Sequence, residues 1–126
     1  MSIFLSYSIL IVDDSALMRR SLKLCLEQNP DWKVCGQAVD GLDAIEKAQQ
    51  LRPDIVVLDL SMPGMNGFEV AHELKVVTPS IPLLMFTSFK TPKLEQEALA
   101  SGCNAVVSKS EHQQTLFDNI HRLLPH

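Results

Sequence analysis

The chain has 126 residues, of which 46% are apolar and 21% are charged, and this is the size and composition of one ordinary globular domain. These values exclude a disordered chain and a collagen-like one, so we expect residues 1–126 to fold as a single domain. The formal net charge of -4 and the scattered Lys and Arg residues argue against nucleic-acid binding by this chain alone.

The cysteines and the apolar start of the chain bear on its compartment. Cys25, Cys35 and Cys103 are far apart and odd in number, which favours buried free thiols in a reducing, cytoplasmic compartment. The segment 1–12 lacks a basic leader and a small-residue cleavage site, and two aspartates follow it directly. We therefore predict neither a signal peptide nor a membrane span.

A short apolar run, residues 8–12, predicts a first strand that is buried on both faces. Asp13 or Asp14 is placed to cap the helix that follows. The apolar face of that helix consists of Met18, Leu22, Cys25 and Leu26. The pattern stops at residues 29–30, an Asn-Pro pair that ends a helix.

A weaker apolar segment, residues 32–39, predicts the second strand. Two polar residues interrupt it, which places it at an edge of the sheet. Asp40 and Asp43 form a D-x-x-D cap for the second helix. The apolar residues of this helix are Ala44, Ile45, Ala48 and Leu51.

Three further strand-helix units follow. Their strands are predicted at residues 54–60, 81–86 and 105–107. Their helices are predicted to be capped by Asn66 with Glu69, Thr91 with Pro92, and Ser110 with Gln113.

Strands that alternate with helices require right-handed crossovers and a parallel sheet covered on both faces. The sequence therefore predicts an α/β fold, a flavodoxin-like doubly wound (βα)5 sandwich with its five parallel strands in the order 2-1-3-4-5. In such sheets the functional residues lie at the carboxyl ends of the strands.

The residues that end these strands are polar: Asp13, Asp14, Asp59, Thr87 and Lys109. Because strands one and three are neighbours in this order, the three carboxylates should lie close together and repel one another. A hard divalent cation that accepts oxygen ligands, such as Mg²⁺, would relieve the repulsion.

A carboxylate nucleophile, a metal, an ammonium and a hydroxyl are the groups that phosphoryl transfer needs. Asp59 is the expected nucleophile because it stands alone at the end of the central strand, with one oxygen toward solvent. Asp13 and Asp14 are then left to hold the metal. Taken singly, each residue has a simpler interpretation, since acidic pairs are common helix caps and Lys109 is a solvated charge. The hypothesis depends on their occurrence together.

In these residues the chain resembles the receiver domains of two-component response regulators. The resemblance extends over residues 9–22, 56–70, 83–88 and 98–109. Its most specific segment is residues 59–67, D-x-x-M-P-x-x-x-G after a buried strand.

The resemblance implies a magnesium site and a phosphoacceptor. Asp14, Asp13 through water, Asp59 and the backbone carbonyl of Ser61 would hold Mg²⁺. Asp59 would accept a phosphoryl group from the phosphohistidine of a histidine kinase or a histidine phosphotransfer protein. The domain would then be a stoichiometric phosphoacceptor that catalyses its own phosphorylation and dephosphorylation, and not an enzyme with turnover on a separate substrate.

The resemblance also implies a switch. Thr87 would hydrogen-bond one phosphoryl oxygen and Lys109 would pair with another, and the inward movement of Thr87 would shift the face made by the fourth helix, fifth strand and fifth helix. That face would act on an effector domain or a target protein, or form a phosphorylation-dependent homodimer. Independently of the resemblance, Ser15, Leu17 and Met18 flank the acids at the start of the first helix, so we expect a kinase or phosphotransfer protein to dock there, near Asp59.

Two positions depart from the family pattern. Val106 stands where many receivers carry Tyr or Phe, so an aromatic ring cannot rotate there. Ser110 follows Lys109 where many receivers have a proline in a cis peptide. A cis bond before serine would cost about 2.5–4 kcal/mol, so we expect a trans bond and a differently placed lysine.

Functions of three other classes fit the sequence less well. A receiver-fold interaction module that no longer switches is favoured by Val106 and Ser110, and disfavoured by the complete set of site residues. An aspartate-based phosphatase would need a second acid two residues after the first, where Ser15 stands. The first strand is followed by no glycine-rich loop, which argues against nucleotide binding.

Overall fold

The computed structural model describes residues 6–125, so residues 1–5 and 126 of the expected domain lie outside it. Five strands and five helices alternate along the described residues. They are β1 Tyr7–Val12, α1 Ala16–Leu26, β2 Trp32–Ala38, α2 Gly41–Leu51, β3 Ile55–Leu58, α3 Gly67–Val77, β4 Leu83–Thr87, α4 Pro92–Ala100, β5 Ala105–Ser108 and α5 Gln113–Leu123.

The strands form one parallel sheet in the order β2-β1-β3-β4-β5. The predicted doubly wound fold and its strand order are therefore confirmed. All four residues of the central strand, Ile55–Leu58, are buried. The second strand lies at an edge and is partly exposed, in agreement with the polar residues that interrupt it.

Alternate side chains of each strand enter different cores. In β1, Leu10 and Val12 join a buried cluster with residues of α2, α3 and α4. Ile9 and Ile11 join a second cluster with residues of α1 and α5. Each fully buried aliphatic side chain of this kind contributes about 1.5–3 kcal/mol. The two cores hold the sheet rigidly between the helices, and so they determine where the strand ends lie.

Three predicted helix caps are confirmed, and two are wrong. Asp40 accepts from the backbone N–H of Asp43, Thr91 accepts from that of Leu94, and Asn66 forms a capping box with Glu69. The other two helices start differently from the prediction.

Helix α1 is capped by Ser15, which accepts from the backbone N–H of Met18, and not by Asp13 or Asp14. Helix α5 begins after His112 without a side-chain cap, because Ser110 hydrogen-bonds back toward Ser108.

The three cysteines are free thiols. Cys103 is buried, and burial raises the pKa of its thiol to about 12. Cys25 and Cys35 are only half-buried. Within residues 6–125, no helix is both long and apolar enough to cross a membrane.

Candidate functional site

The sheet's hydrogen-bond ladder continues one residue past β1 and β3 and places two of the aspartates. The backbone N–H of Asp13 donates to the carbonyl of Ala38 at 3.1 Å, and that of Asp59 donates to the carbonyl of Val12 at 2.9 Å. Because neighbouring parallel strands end side by side, these carboxylates meet at one edge of the sheet. The site therefore rests on the most buried part of the fold.

The structure brings three carboxylates together, as the strand order predicts. One oxygen from each of Asp13, Asp14 and Asp59 lies within 4.8 Å of the others. Asp13 and Asp59 are only 4% and 8% exposed, whereas Asp14 is exposed. Asp59 is therefore less exposed than we expect from the sequence, which predicts that one of its carboxylate oxygens faces solvent.

Lys109 supplies the positive charge that faces these acids. Its Nζ lies 3.2 Å from Asp13 Oδ2 and 3.4 Å from Asp59 Oδ1. The side chain is 16% exposed, and the ammonium lies 5.9 Å from the centroid of the Phe86 ring. The peptide bonds of the described residues are all trans, so the bond to Ser110 is trans as expected, and the ammonium still reaches Asp59.

Burial raises the pKa of the Asp59 carboxyl above its ordinary value. The Lys109 ammonium opposes this shift, the Asp13 carboxylate adds to the rise, and the net result is upward. Three carboxylates lie beside the Lys109 ammonium, so the ionised cluster carries excess negative charge.

Closely spaced oxygen ligands with excess negative charge are the donor set that suits Mg²⁺. The chemistry of these residues therefore fits the predicted metal. Ser61 and Asp14 line the same open depression, together with Leu60, Met62, Asn66 and Phe68, with a volume of ≈ 590 Å³. The depression leads from solvent to the edge of the acidic cluster.

Thr87 ends β4 and is fully buried. Its hydroxyl accepts a hydrogen bond from the backbone N–H of Phe89 at 3.3 Å, and its carbonyl accepts one from the N–H of Lys109 at 2.8 Å. The ends of β4 and β5 are thereby joined directly. Val106 is buried in β5 opposite Met85, so an aliphatic core residue occupies the position that departs from the family pattern.

Arg19 supports the site in a way that was not predicted from the sequence. Its Nη1 donates to the backbone carbonyl of Asp13 at 2.7 Å, and its Nε donates to Gln37 Oε1 at 3.2 Å. A contact from a side chain to a distant carbonyl leaves no spacing pattern in the sequence, so only the folded structure reveals it.

Gly67 also has a physical role that the sequence pattern alone does not reveal. A Cβ at this position would lie 2.7 Å from the Cα of Leu60 and 2.8 Å from the carbonyl oxygen of Asp59. The N–H of Gly67 donates to the carbonyl of Leu60 at 2.8 Å. Glycine therefore lets α3 begin directly against the backbone of the candidate phosphoacceptor.

Comparison with known proteins agrees with this geometry. The family model of the response regulator receiver domain matches residues 9–121. A protein-glutamate methylesterase/protein-glutamine glutaminase 1 of Methanosarcina acetivorans is 39% identical over 104 residues, which make up 81% of this chain and 30% of that protein. The chain thus spans less than a third of the length of these methylesterases.

Solved structures support the same family assignment. The response regulator domain of Thermotoga maritima CheB is 32% identical, with a TM-score of 0.83 over 94% of this chain and 93% of that one. The chemotaxis protein CheY4 of Vibrio cholerae is 32% identical, with a TM-score of 0.84 over 94% and 99% of the two chains. The chain belongs to the receiver domain family of two-component response regulators.

Proposed function

We propose that this receiver accepts a phosphoryl group on Asp59 in a Mg²⁺-dependent reaction, with the phosphohistidine of a histidine kinase or a histidine phosphotransfer protein as donor. The observation that carries the proposal is the enclosed Asp59 carboxylate, which lies among two further carboxylates within 4.8 Å and 3.4 Å from the Lys109 ammonium. We take residues 1–126 as one such domain.

Four groups would hold the metal: the carboxylates of Asp14 and Asp59, the carboxylate of Asp13 through water, and the backbone carbonyl of Ser61. When bound, the cation supplies positive charge that offsets the charge of the transferring phosphoryl oxygens. Asp59 must be ionised to react as a nucleophile, and burial opposes its ionisation by raising its pKa. A bound cation would favour the ionised carboxylate.

The transfer exchanges one bond to phosphorus for another. An Asp59 carboxylate oxygen forms the O–P bond while the N–P bond to the donor imidazole breaks. The electron pair of the N–P bond returns to the imidazole nitrogen, and no net oxidation or reduction occurs. The Lys109 ammonium pairs with one phosphoryl oxygen, and the Thr87 hydroxyl donates to another.

The Thr87 hydroxyl links this chemistry to a conformational change. In the structure it accepts from the N–H of Phe89, whereas it must turn toward the phosphoryl group to donate to it. That turn would release the loop after β4 and shift the face of α4, β5 and α5.

The shifted face would act on an effector domain or target protein, or pair two receivers. The methylesterase of Methanosarcina acetivorans, of which this chain spans only 30%, is 39% identical to it over 104 residues, which supports an effector as one such partner.

The start of α1 is the proposed docking site for the phosphodonor protein. Leu17 is 76% exposed. Met18 lines a groove that also includes Phe86 and Lys109. An apolar helix face beside the acidic cluster suits a partner that must bring its histidine to Asp59.

A second candidate function is an interaction module that does not switch. The buried aliphatic Val106 in β5 favours it, since no aromatic ring is available there to follow the movement of Thr87.

Intact-protein mass tests the phosphoacceptor chemistry. We would incubate the chain with Mg²⁺ and phosphoramidate, a small donor with an N–P bond, and compare it with Asp59→Asn. Asp31→Asn, an exposed aspartate before β2, is the matched control. A gain of one phosphate that needs both Mg²⁺ and Asp59 is expected.

A folded protein that gains no phosphate from phosphoramidate or from candidate kinases would contradict the proposal and favour the interaction module. If phosphate is gained, amide chemical shifts in α4, β5 and α5 distinguish a switching receiver from one that stays fixed.

A further inference from the structure

We infer that Glu111 is a positioning residue for phosphoryl transfer, because its carboxylate fixes the turn after β5 that carries Lys109. This inference rests on the proposed function, in which Lys109 pairs with a phosphoryl oxygen. Within residues 6–125, the Glu111 carboxylate hydrogen-bonds to Ser108 and lies near Lys90 rather than in the acidic cluster, so its effect on the reaction would pass through Lys109.

Glu111 binds both backbone groups of Ser108. The N–H of Ser108 donates to Glu111 Oε2 at 2.6 Å, and the N–H of Glu111 donates to the carbonyl of Ser108 at 3.1 Å. Together these bonds close a short ring around Lys109 and Ser110. The two ends of the turn are thus joined by a side chain as well as by the backbone.

The position of β5 in the sheet explains why this clamp is available. The N–H of Lys109 points inward and donates to the carbonyl of Thr87. Because neighbouring residues of a strand direct their backbone groups to opposite sides, those of Ser108 point away from β4. Among the strands of residues 6–125, β5 lies at an edge of the sheet with no strand on its outer side, and Glu111 satisfies the groups that the edge leaves unpaired.

The serines complete the turn. The N–H of Ser110 donates to Ser108 Oγ at 3.2 Å, and the two hydroxyls lie 2.8 Å apart. The trans bond after Lys109 therefore lies in a turn held by hydrogen bonds. The backbone of Lys109 is held from the β4 side by Thr87 and from the outer side through Glu111.

Glu111 also takes part in an ion pair, which contributes less than its hydrogen bond to Ser108. Glu111 Oε2 also lies 3.6 Å from the Nζ of Lys90, and Lys90 in turn lies 3.8 Å from Glu95. These side chains are between 29% and 44% exposed, and exposed ion pairs of this kind contribute little. The reach of the Glu111 carboxylate to the Ser108 N–H should therefore matter more than its charge.

Substitutions at Glu111 separate reach from charge. Glu111→Ala removes the acceptor, Glu111→Gln keeps an oxygen at the same reach, and Glu111→Asp keeps the charge but shortens the side chain. Glu95→Ala is the matched control, because Glu95 also lies near Lys90 but belongs to the first turn of α4 and not to the turn after β5. The measurement is the rate of phosphate gain from phosphoramidate over a range of donor and Mg²⁺ concentrations.

A shift of about 1 Å in a reacting group can slow a reaction up to a hundredfold, so we expect the maximal rate of Glu111→Ala to fall about tenfold. Glu111→Asp should be similarly slow. Glu111→Gln should stay within about threefold of the unsubstituted protein and Glu95→Ala should be unchanged, because the exposed ion pair contributes little. The Mg²⁺ concentration at half-maximal rate should not change, which a general loss of folding would not reproduce.

The inference is overturned if Glu111→Ala reacts as fast as Glu95→Ala, or if Glu111→Gln is as slow as Glu111→Asp. If Glu111→Ala does not fold, the phosphorylation rates of Glu111→Gln and Glu111→Asp decide whether the inference holds. If the unsubstituted chain gains no phosphate, the proposed function itself fails. Amide exchange at Ser108 then still reports whether Glu111 clamps the turn.

Discussion

The guanidinium of Arg19 donates a 2.7 Å hydrogen bond to the backbone carbonyl of Asp13. Helix α1 thereby holds the loop from which the acidic pair projects. The carboxylate of the same aspartate accepts from the N–H of Ser15 at 2.9 Å, so Asp13 is restrained through its backbone and its side chain. Arg20, the next residue, is exposed and forms a natural control.

Arg19→Ala should therefore destabilise the domain and weaken its phosphorylation. Loss of a hydrogen bond from a charged donor costs about 1.5–3 kcal/mol, and we expect urea unfolding to show a loss in this range. Arg20→Ala should stay within about 0.5 kcal/mol of the unsubstituted protein. Equal unfolding free energies for the two variants would mean that the bond to Asp13 contributes nothing. Because Arg19 also supports Asp13, charge reversal at Arg20 is the clearer test of whether a kinase docks on α1.

Asp59→Asn should raise the unfolding free energy at neutral pH when divalent cations are removed by a chelator. Burial raises the pKa of Asp59 in the folded protein, so folding makes the ionised carboxylate less favourable. This destabilisation is present in full above the raised folded pKa, and it is lost as the pH falls through that pKa toward the unfolded value.

The test is urea unfolding of both proteins across this pH range. The difference between them should be largest at neutral pH and should shrink on acidification. A lower unfolding free energy for Asp59→Asn than for the unsubstituted protein at neutral pH would mean that the folded protein favours the ionised Asp59 carboxylate, with Lys109 outweighing burial.

Mg²⁺ should stabilise the domain against unfolding. A ligand that binds only the folded state at a hundred times its dissociation constant adds about 2.7 kcal/mol. Asp14→Asn should weaken this gain at little cost to the fold, because Asp14 is exposed. Asp31→Asn should leave the gain unchanged. The measurement is the melting temperature over a Mg²⁺ titration, and an equal response in all three proteins would argue against a site at the acidic cluster.

The sequence predicted the sheet and the residues at its edge because both follow from local patterns. Apolar runs such as Ile55–Leu58 are buried on both faces, and alternation with helices leaves few possible strand orders. Once the order is known, Asp13 and Asp59 must meet. The coarse geometry of the site is therefore already present in the order of strands and acids.

The contacts that support the site could not be predicted in this way. Arg19 reaches the carbonyl of Asp13, and Glu111 reaches the N–H of Ser108, and backbone groups carry no residue-specific signal. The starts of α1 and α5 were predicted incorrectly for a related reason. Asp13 and Ser110 both have the chemistry of a cap, but each hydrogen-bonds elsewhere, and Ser15 and His112 occupy the cap positions.

Gly67→Ala should damage both the fold and the site. The added Cβ would lie 2.7 Å from the Cα of Leu60 and 2.8 Å from the carbonyl oxygen of Asp59. Both neighbours are backbone atoms, so rotation of a side chain cannot relieve the overlap. We expect a loss of about 1–3 kcal/mol in unfolding free energy, typical of overpacking, and slower phosphorylation because the backbone of Asp59 must move.

Gly64→Ala is the matched control for this substitution. Gly64 has a positive φ of 80°, but an added Cβ would meet no atom of residues 6–125 within 4 Å. The left-handed backbone alone costs a non-glycine residue about 1–2 kcal/mol, so stability falls here too while Asp59 is left in place. Phosphorylation at saturating phosphoramidate should therefore be slowed in Gly67→Ala and unchanged in Gly64→Ala. If both variants react equally fast, the close approach of α3 does not position the phosphoacceptor.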